Sequence, residues 1–188
     1  MPNHCENDLR IETLWDEHKT DEHRKAYLQA FVRRAAIQSP DQGYDFKLGE
    51  WEKLSQTGME QTQRPFEETR LSYHRFIPVP LKIQAEEYGA YPKSIGYKWC
   101  CKNWGTKWDA YDISLETHDY KYGEIEYSFT SAWSPPEPVI AEMARQFPHL
   151  EFQHTFFERG AEFSGERIYK GGALDSSRDA EYFGKRGG

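Results

Sequence analysis

Residues that could act in catalysis or bind a metal ion are few and scattered in this sequence. His118 is expected to lie in a turn, and His149 and His154 precede Glu158. No His-x-x-x-His, Cys-x-x-Cys or Gly-x-Ser-x-Gly pattern occurs, so the usual spacings of metal ligands and activated nucleophiles are missing. Gly105-Thr106-Lys107 lacks the further glycines of a phosphate-binding loop. We therefore expect surface histidines, and we predict no cofactor, no metal ion and no catalytic residue.

A better candidate for a functional site is the segment 103–109, in which Trp104 and Trp108 flank a glycine turn before an alternating strand. A partly exposed tryptophan can act as the desolvated anchor of an interface. The alternation places Trp108 on an open face of the predicted sheet, where it is either exposed or covered by the segment 41–92. We predict that a partner binds at this rim. The predicted contact residues are Asn103, Trp104, Lys107, Trp108, Asp109, Trp133, Glu116 and Glu126.

The same residues have a purely structural interpretation. Large aromatic side chains are mostly buried, so Trp99, Trp104 and Trp133 are expected to pack in the core or in hinges. Asn103 and Asp109 would then cap the ends of a helix and a strand. The two interpretations differ in whether a tryptophan here is exposed.

The pattern of apolar residues predicts the order β-α-insertion-β-β-α-β-β. An antiparallel sheet with both long helices on one face, the ferredoxin-like arrangement of the α+β class, suits this order. Ser134-Pro135-Pro136-Glu137 reads as a capping box before the second long helix. We expect a single domain over residues 1–170, an irregular insertion over 41–92 and a flexible tail over 171–188.

Alternation divides the sheet residues between two faces. The face expected to lie under the helices is apolar and includes Tyr111, Ile113 and Leu115 from the second strand. The opposite face is expected to carry Arg10 among the carboxylates of Glu6, Asp8, Glu12, Asp112, Glu116, Glu124, Glu126 and Glu151. Three interpretations remain open: an ordinary solvated face, a surface for a basic partner that could imitate nucleic acid, or a metal site, for which oxygens must converge.

Composition narrows the class of partner. The 188 residues carry a formal net charge of −7, which disfavours a general phosphate-binding protein that relies on clustered cations. No run approaches the roughly 20 apolar residues of a membrane helix, and the first apolar pattern is a strand rather than a signal peptide. Three cysteines, of which Cys100 and Cys101 are adjacent, imply no disulfide framework. We expect a cytoplasmic protein without a membrane partner.

The chain resembles a phage and plasmid family described as carrying a YubB-type ferredoxin-like domain. The matching pieces span roughly residues 1–170, although His4 stands where that family has an aromatic residue. They are Met1-Pro2-Asn3 with Cys5, Phe76-Ile77-Pro78-Val79-Pro80, residues 103–109, Trp133-Ser134-Pro135-Pro136, Gly160 and Gly165. The resemblance implies a ferredoxin-like fold and a mobile-element origin, and it carries over no catalytic residue.

These observations lead to one functional expectation and two alternatives. We expect a non-enzymatic phage or plasmid accessory protein that binds a host macromolecule, a host protein first of all, to counter host defence. One alternative is nucleic-acid binding, which the net charge disfavours and which would need the cations Lys93, Lys98, Lys102 and Lys107. The other is sequestration or cleavage of a nucleotide signal in an aromatic pocket near Trp104 and Trp108.

Overall fold

The computed structural model describes five stretches of the chain. They are residues 3–14, 20–35, 71–84, 94–120 and 122–181. Most of the predicted insertion over 41–92, Lys93 and residues 182–188 lie outside the described residues.

The described helices and strands follow the predicted order and add one strand at the end. The strands are β1 His4–Thr13, β2 Tyr111–Asp119, β3 Glu124–Ala132, β4 Leu150–Glu158, β5 Phe163–Lys170 and β6 Ala173–Glu181. The α-helices are α1 Asp21–Ala35, α2 Leu81–Gln84, α3 Ile95–Asn103 and α4 Glu137–Gln146, and a 3-10 turn covers Tyr73–Arg75.

The strands form one sheet in the order β2-β3-β1-β4-β5-β6, and every neighbouring pair is antiparallel. The first four strands of this order, with α1 between β1 and β2 and α4 between β3 and β4, have the ferredoxin-like arrangement. The predicted fold class is therefore confirmed. Strands β5 and β6 extend the sheet beyond β4.

The core lies between one face of the sheet and the helices α1 and α4. Phe31 of α1 is its centre, because its ring packs 6.4 Å from that of Tyr127 on β3 and 5.5 Å from that of Phe152 on β4. Met143 of α4 is fully buried in the same cluster. None of the described helices has the length and apolar character needed to cross a membrane.

Two register shifts in β2 overturn part of the predicted alternation. They fall between Tyr111 and Ser114 and between Leu115 and Thr117, and Asp112 has a positive φ of 49°, as expected where an extra residue is inserted into a strand. Tyr111, predicted under the helices, therefore pairs with Thr130 on the opposite face and approaches the ring of His4. Asp112 and Glu116 lie at the irregularities, so strict alternation does not place them.

The predicted capping box does not form. Helix α4 begins at Glu137 with Pro136 at its N-cap and no side-chain cap hydrogen bond. The reason is that the helix begins three residues after Ser134, and Pro136 at the N-cap has no side-chain oxygen that could accept a hydrogen bond. Ser134 instead donates its hydroxyl to the Gly105 carbonyl at 2.6 Å, so that it ties two loops together.

The described part of the predicted flexible tail is a strand. The sequence of β6 lacks the apolar alternation that indicates a strand, and all of its residues are exposed. Its backbone nevertheless pairs with β5. Arg167 of β5 adds a side-chain link, because its guanidinium lies 2.7 Å from the Asp179 carboxylate of β6 and 3.0 Å from that of Glu137 on α4. Backbone pairing and this ion network order the strand in place of a hydrophobic face.

Candidate functional site

The predicted site residues do not form one cluster, and Trp104 is a core residue. Its side chain is 2% exposed, and its indole N–H donates to the Ile77 carbonyl at 2.9 Å. The ring makes edge contacts with Tyr73 and Trp99. The structural interpretation, in which this tryptophan packs in the core, is therefore correct for Trp104.

Asp109 organises the segment that begins at Leu71. One carboxylate oxygen accepts the backbone N–H groups of Tyr73 and Ala110 at 2.7 and 2.9 Å, and the other accepts the Ser72 hydroxyl at 2.7 Å. Burial raises the pKa of this carboxyl, and the hydrogen bonds from Ser72 and the backbone oppose the rise. With its oxygens so engaged, Asp109 holds the 3-10 turn against the start of β2.

Asn103 and Trp108 lie on either side of the glycine turn. The Asn103 amide donates to the Trp99 carbonyl at 2.8 Å and so satisfies an acceptor in the last turn of α3. Trp108 is half-buried. It precedes the first register shift in β2, so the alternation counted back from Asp112 does not determine which face of the sheet its side chain lies on. Gly105 has a φ of 77°, which ends the helix in the left-handed region that glycine adopts readily.

Trp133 is the exposed tryptophan of the predicted site, contrary to its expected place in the core or a hinge. Its side chain is 46% exposed. The Lys107 ammonium lies 3.7 Å from the centre of its ring and 5.8 Å from that of Tyr97, and burial lowers the pKa of that ammonium. We call this region the tryptophan patch. It consists of Trp133, Lys107, Tyr97 and the exposed lysines Lys98 and Lys102 of α3.

The backbone that carries Trp133 is strained and firmly held. Its φ is 75°, in the left-handed region that is uncommon for a bulky residue other than glycine. Its N–H donates to the Asn3 carbonyl at 3.1 Å, and the Ser131 hydroxyl donates to the Ser134 carbonyl at 2.8 Å. On the neighbouring loop, the Thr106 hydroxyl donates to the Ala132 carbonyl and accepts the Ala132 N–H.

A buried polar network lies beneath this turn. The Asn7 amide donates to Ser131 Oγ at 2.9 Å and to the Cys5 carbonyl at 2.8 Å, which leaves its oxygen 3.0 Å from His154 Nε2. That oxygen can only accept, so Nε2 carries the imidazole proton. Burial and then the Arg167 charge lower the pKa of His154 to about 3. His154 is fully buried, so the expectation of a surface histidine is wrong for this residue.

The network gives no sign of an activated nucleophile. Burial raises the pKa of the Cys5 thiol to about 12, and a thiol that stays protonated is a poor nucleophile. His154 stacks on Phe129 and contacts Phe156, so aromatic rings and Asn7 surround its imidazole. Alternation on β4 could have indicated this burial from the sequence, because His154 continues the inward series of Leu150 and Phe152.

The opposite end of the sheet gathers carboxylates. Cross-strand pairing aligns Asp119, Glu124, Glu12 and Glu151 on the four adjacent strands β2, β3, β1 and β4, with strands about 4.8 Å apart. We call this the carboxylate row. Arg10 bridges two of its members, at 2.6 Å to Glu12 and 3.0 Å to Glu124.

An open cleft of ≈ 580 Å³ adjoins the carboxylate row. Asp21 lies in it with Arg24, whose guanidinium is 3.5 Å from the Asp21 carboxylate, and Tyr122 at its edge is 73% exposed. Nothing in the sequence alone marked Tyr122, because only the folded chain brings the β2–β3 turn next to the end of β1. The cleft is lined by Glu12, Thr13, Leu14, Asp21, Arg24, Tyr122 and Glu151.

The two regions are far apart. Along β3 and the turn that follows it, nine residues separate Glu124 from Trp133, which corresponds to about 30 Å of extended chain. Glu126 lies seven residues from Trp133, about 24 Å away. The predicted rim therefore divides, because Lys107 and Trp133 lie in the tryptophan patch whereas Glu126 lies two residues from Glu124 of the carboxylate row. Within the described ranges, no group of three His, Cys, Asp or Glu side chains is placed to hold a metal ion.

Known proteins are similar to this chain in fold over nearly its whole length and in sequence over its second half. No curated protein matches the sequence. A crystal structure of a protein api92 from Yersinia pseudotuberculosis is similar in fold, with a TM-score of 0.56 over 98% of this chain and 99% of that one, at 12% identity. Residues 104–184, from Trp104 through the six-stranded sheet's last strand, match the family model described as the ferredoxin-like domain in Api92-like protein.

Proposed function

We propose that the protein is a non-catalytic accessory protein that binds a basic macromolecular partner at the carboxylate row and its cleft. The observation that carries this proposal is the row itself, in which four adjacent strands present carboxylates beside an open cleft. Cross-strand like charges are destabilising when nothing compensates them. Arg10 and Lys170 compensate part of this charge, and a cationic partner would add to that compensation.

The whole face opposite the helices supports a basic partner. By register, eight carboxylates and three cations lie on it among the described residues. The carboxylates are Glu6, Asp8, Glu12, Asp119, Glu124, Glu126, Glu151 and Glu166, and the cations are Arg10, Lys170 and Arg178. Such a surplus of negative charge steers a basic partner and raises its association rate.

The cleft offers a place for a side chain of that partner. Its volume of ≈ 580 Å³ exceeds what one arginine or lysine needs, and Glu12 and Glu151 lie on its wall. Arginine and tyrosine are frequent anchors of interfaces, so an arginine entering beside Tyr122 would gain both ion pairs and a cation–π contact. In this proposal Tyr122 takes the anchoring role that the sequence suggested for Trp108.

The biological setting is part of the proposal. The resemblance to phage and plasmid proteins supports a partner in the host cell, and we propose a basic host protein of a defence system. Fold similarity adds nothing to this step, because one fold serves many functions.

Affinity capture from a nuclease-treated host extract tests the proposal. The tagged protein should retain one or more basic proteins, and retention should weaken as salt rises because exposed charges are screened. Replacing both Glu12→Gln and Glu151→Gln should reduce retention at least tenfold, and Tyr122→Ala should reduce it by a similar factor. Quantitative mass spectrometry of the retained proteins gives the readout.

The matched control is Asp175→Asn with Glu181→Gln, which changes the charge equally at exposed positions of β6. It should retain the partner like the unmodified protein, and all variants should melt within a few degrees of it. Equal loss in the control variant, or retained proteins that are acidic, would contradict a partner bound at the carboxylate row.

A further inference from the structure

The tryptophan patch has a chemistry opposite to that of the carboxylate row. It combines an exposed indole with three lysines, and it lies about 30 Å from the row. The Debye length at physiological ionic strength is about 8 Å, so the carboxylates there have little influence on a ligand at Trp133. The carboxylate row and the net charge of −7 therefore do not decide the ligand of the patch.

The backbone of Trp133 is held in one conformation, so its exposed ring can serve as a platform on which a ligand stacks. The residue has a left-handed backbone at φ 75°, and the hydrogen bonds from Trp133 to Asn3 and from Ser131 to Ser134 hold it there. Backbone strain of this kind persists where the surrounding structure enforces it, and it is frequent at binding sites. A rigid ring loses little conformational freedom when a ligand stacks on it.

The ammonium group of Lys107 is already positioned beside the Trp133 ring before a ligand binds. Its ammonium lies 3.7 Å from the Trp133 ring centre and within 5.8 Å of the Tyr97 ring, so cation–π attraction restrains a side chain that is otherwise flexible. Lys98 and Lys102 are exposed on α3 and are one helical turn, about 6 Å, apart. Lys98 follows Tyr97 directly on α3, and the Tyr97 ring lies 5.8 Å from the Lys107 ammonium, so we infer that the three cations form a track beside the platform.

We propose that the tryptophan patch binds single-stranded nucleic acid, with a base stacked on Trp133 and successive phosphates paired with Lys107, Lys102 and Lys98. Proteins that bind single strands without sequence preference combine aromatic platforms with a cationic track. A basic protein would be repelled by the three lysines. Duplex DNA keeps its bases stacked inside the helix, so a single indole has no base to receive. This inference concerns different residues from the proposed function and does not rest on it.

Fluorescence anisotropy with a labelled oligothymidylate tests the site on the full chain. Binding should weaken with salt, with a slope of log affinity against log salt of about −2, from roughly −0.7 for each of three phosphates. Trp133→Ala should weaken binding roughly tenfold, the usual effect of removing one stacked base, whereas Trp133→Phe should keep most of the affinity. Part of the tryptophan emission should be quenched on binding to the unmodified protein and not to Trp133→Phe.

Charge reversal separates the phosphate track from a general effect of charge. Lys98→Glu with Lys102→Glu should lower the magnitude of the salt slope by about 1.4. The matched control is Lys25→Glu with Arg33→Glu, which makes the same change at exposed positions of α1. It should leave the slope unchanged. An equal change in the control would contradict a track on α3.

Three further probes decide the class of ligand. Duplex DNA and thymidine monophosphate should each bind at least tenfold more weakly than the oligonucleotide. Polyglutamate should bind weakly and without quenching of Trp133. Tighter binding of polyglutamate would overturn the proposal in favour of an acidic protein, and equal binding of the mononucleotide would overturn it in favour of a free nucleotide. No binding of the oligonucleotide at low salt would also overturn it.

Discussion

The two ends of the sheet are built in different ways. At one end, Trp133 is exposed but stands on a buried network in which Asn7, Ser131 and His154 are hydrogen-bonded in series. At the other end, the carboxylate row is held by backbone pairing and by ion pairs to the exposed Arg10. An exposed group can thus be positioned by buried polar contacts or by surface charges, and the two designs should respond differently to substitution, acid and salt.

The largest expected difference separates two tryptophans of the same region. Trp104→Ala should lower the free energy of unfolding by about 3–5 kcal/mol, because it leaves a cavity in the core and an unpaired Ile77 carbonyl. Trp133→Ala should lower it by no more than about 1 kcal/mol, because nearly half of the side chain is exposed and its removal leaves no buried cavity. Urea unfolding of both variants measures this. Equal losses would show that Trp133 is a core residue in solution and would remove it from the tryptophan patch.

Acid should weaken the network beneath Trp133. The pKa of His154 is lowered to about 3 in the folded state from 6.5, so the unfolded chain binds the proton first as pH falls. The stabilising contribution is complete above pH 6.5 and is lost progressively between pH 6.5 and 3. From pH 7.5 to pH 5 the loss should be about 2 kcal/mol.

His154→Gln isolates this effect from the other histidines. Gln cannot be protonated in this range, so the fall in unfolding free energy between pH 7.5 and 5 should be about 2 kcal/mol smaller in the variant. The readout is urea unfolding of both proteins at the two pH values. His149→Gln, at an exposed position, is the control and should leave the fall unchanged. If His154→Gln showed the same fall as the parent protein, His154 would be solvated.

Salt should act mainly on the carboxylate end. Arg10→Gln removes the cation between Glu12 and Glu124 and should destabilise the protein by about 0.5–1 kcal/mol at low ionic strength. At 1 M salt the difference should nearly vanish, because the Debye length falls to about 3 Å. Chemical unfolding in urea at several salt concentrations measures this. Arg145→Gln, whose partner Glu142 lies on α4, should show a smaller dependence on salt.

Local patterns in the sequence were sufficient for most of the fold. Apolar periodicity predicted the order of strands β1 to β5 and of the two long helices α1 and α4. Strand β6 could not be predicted in this way. Its order depends on backbone pairing with β5 and on the Arg167–Asp179 ion pair, and neither leaves a periodic signal in the strand itself.

The sequence by itself determined the ferredoxin-like class, because apolar periodicity is a local property that decides which side of each element is buried. The same periodicity also predicted which face of the sheet most of the carboxylates lie on, the face opposite the helices. Only the tertiary structure decided which residues meet: the shifts in β2 moved Tyr111 to the other face, and the core enclosed Trp104 and His154 while Trp133 stayed exposed. Exposure depends on neighbours that are distant in the chain. The division of the predicted site into two ends therefore appeared only after folding.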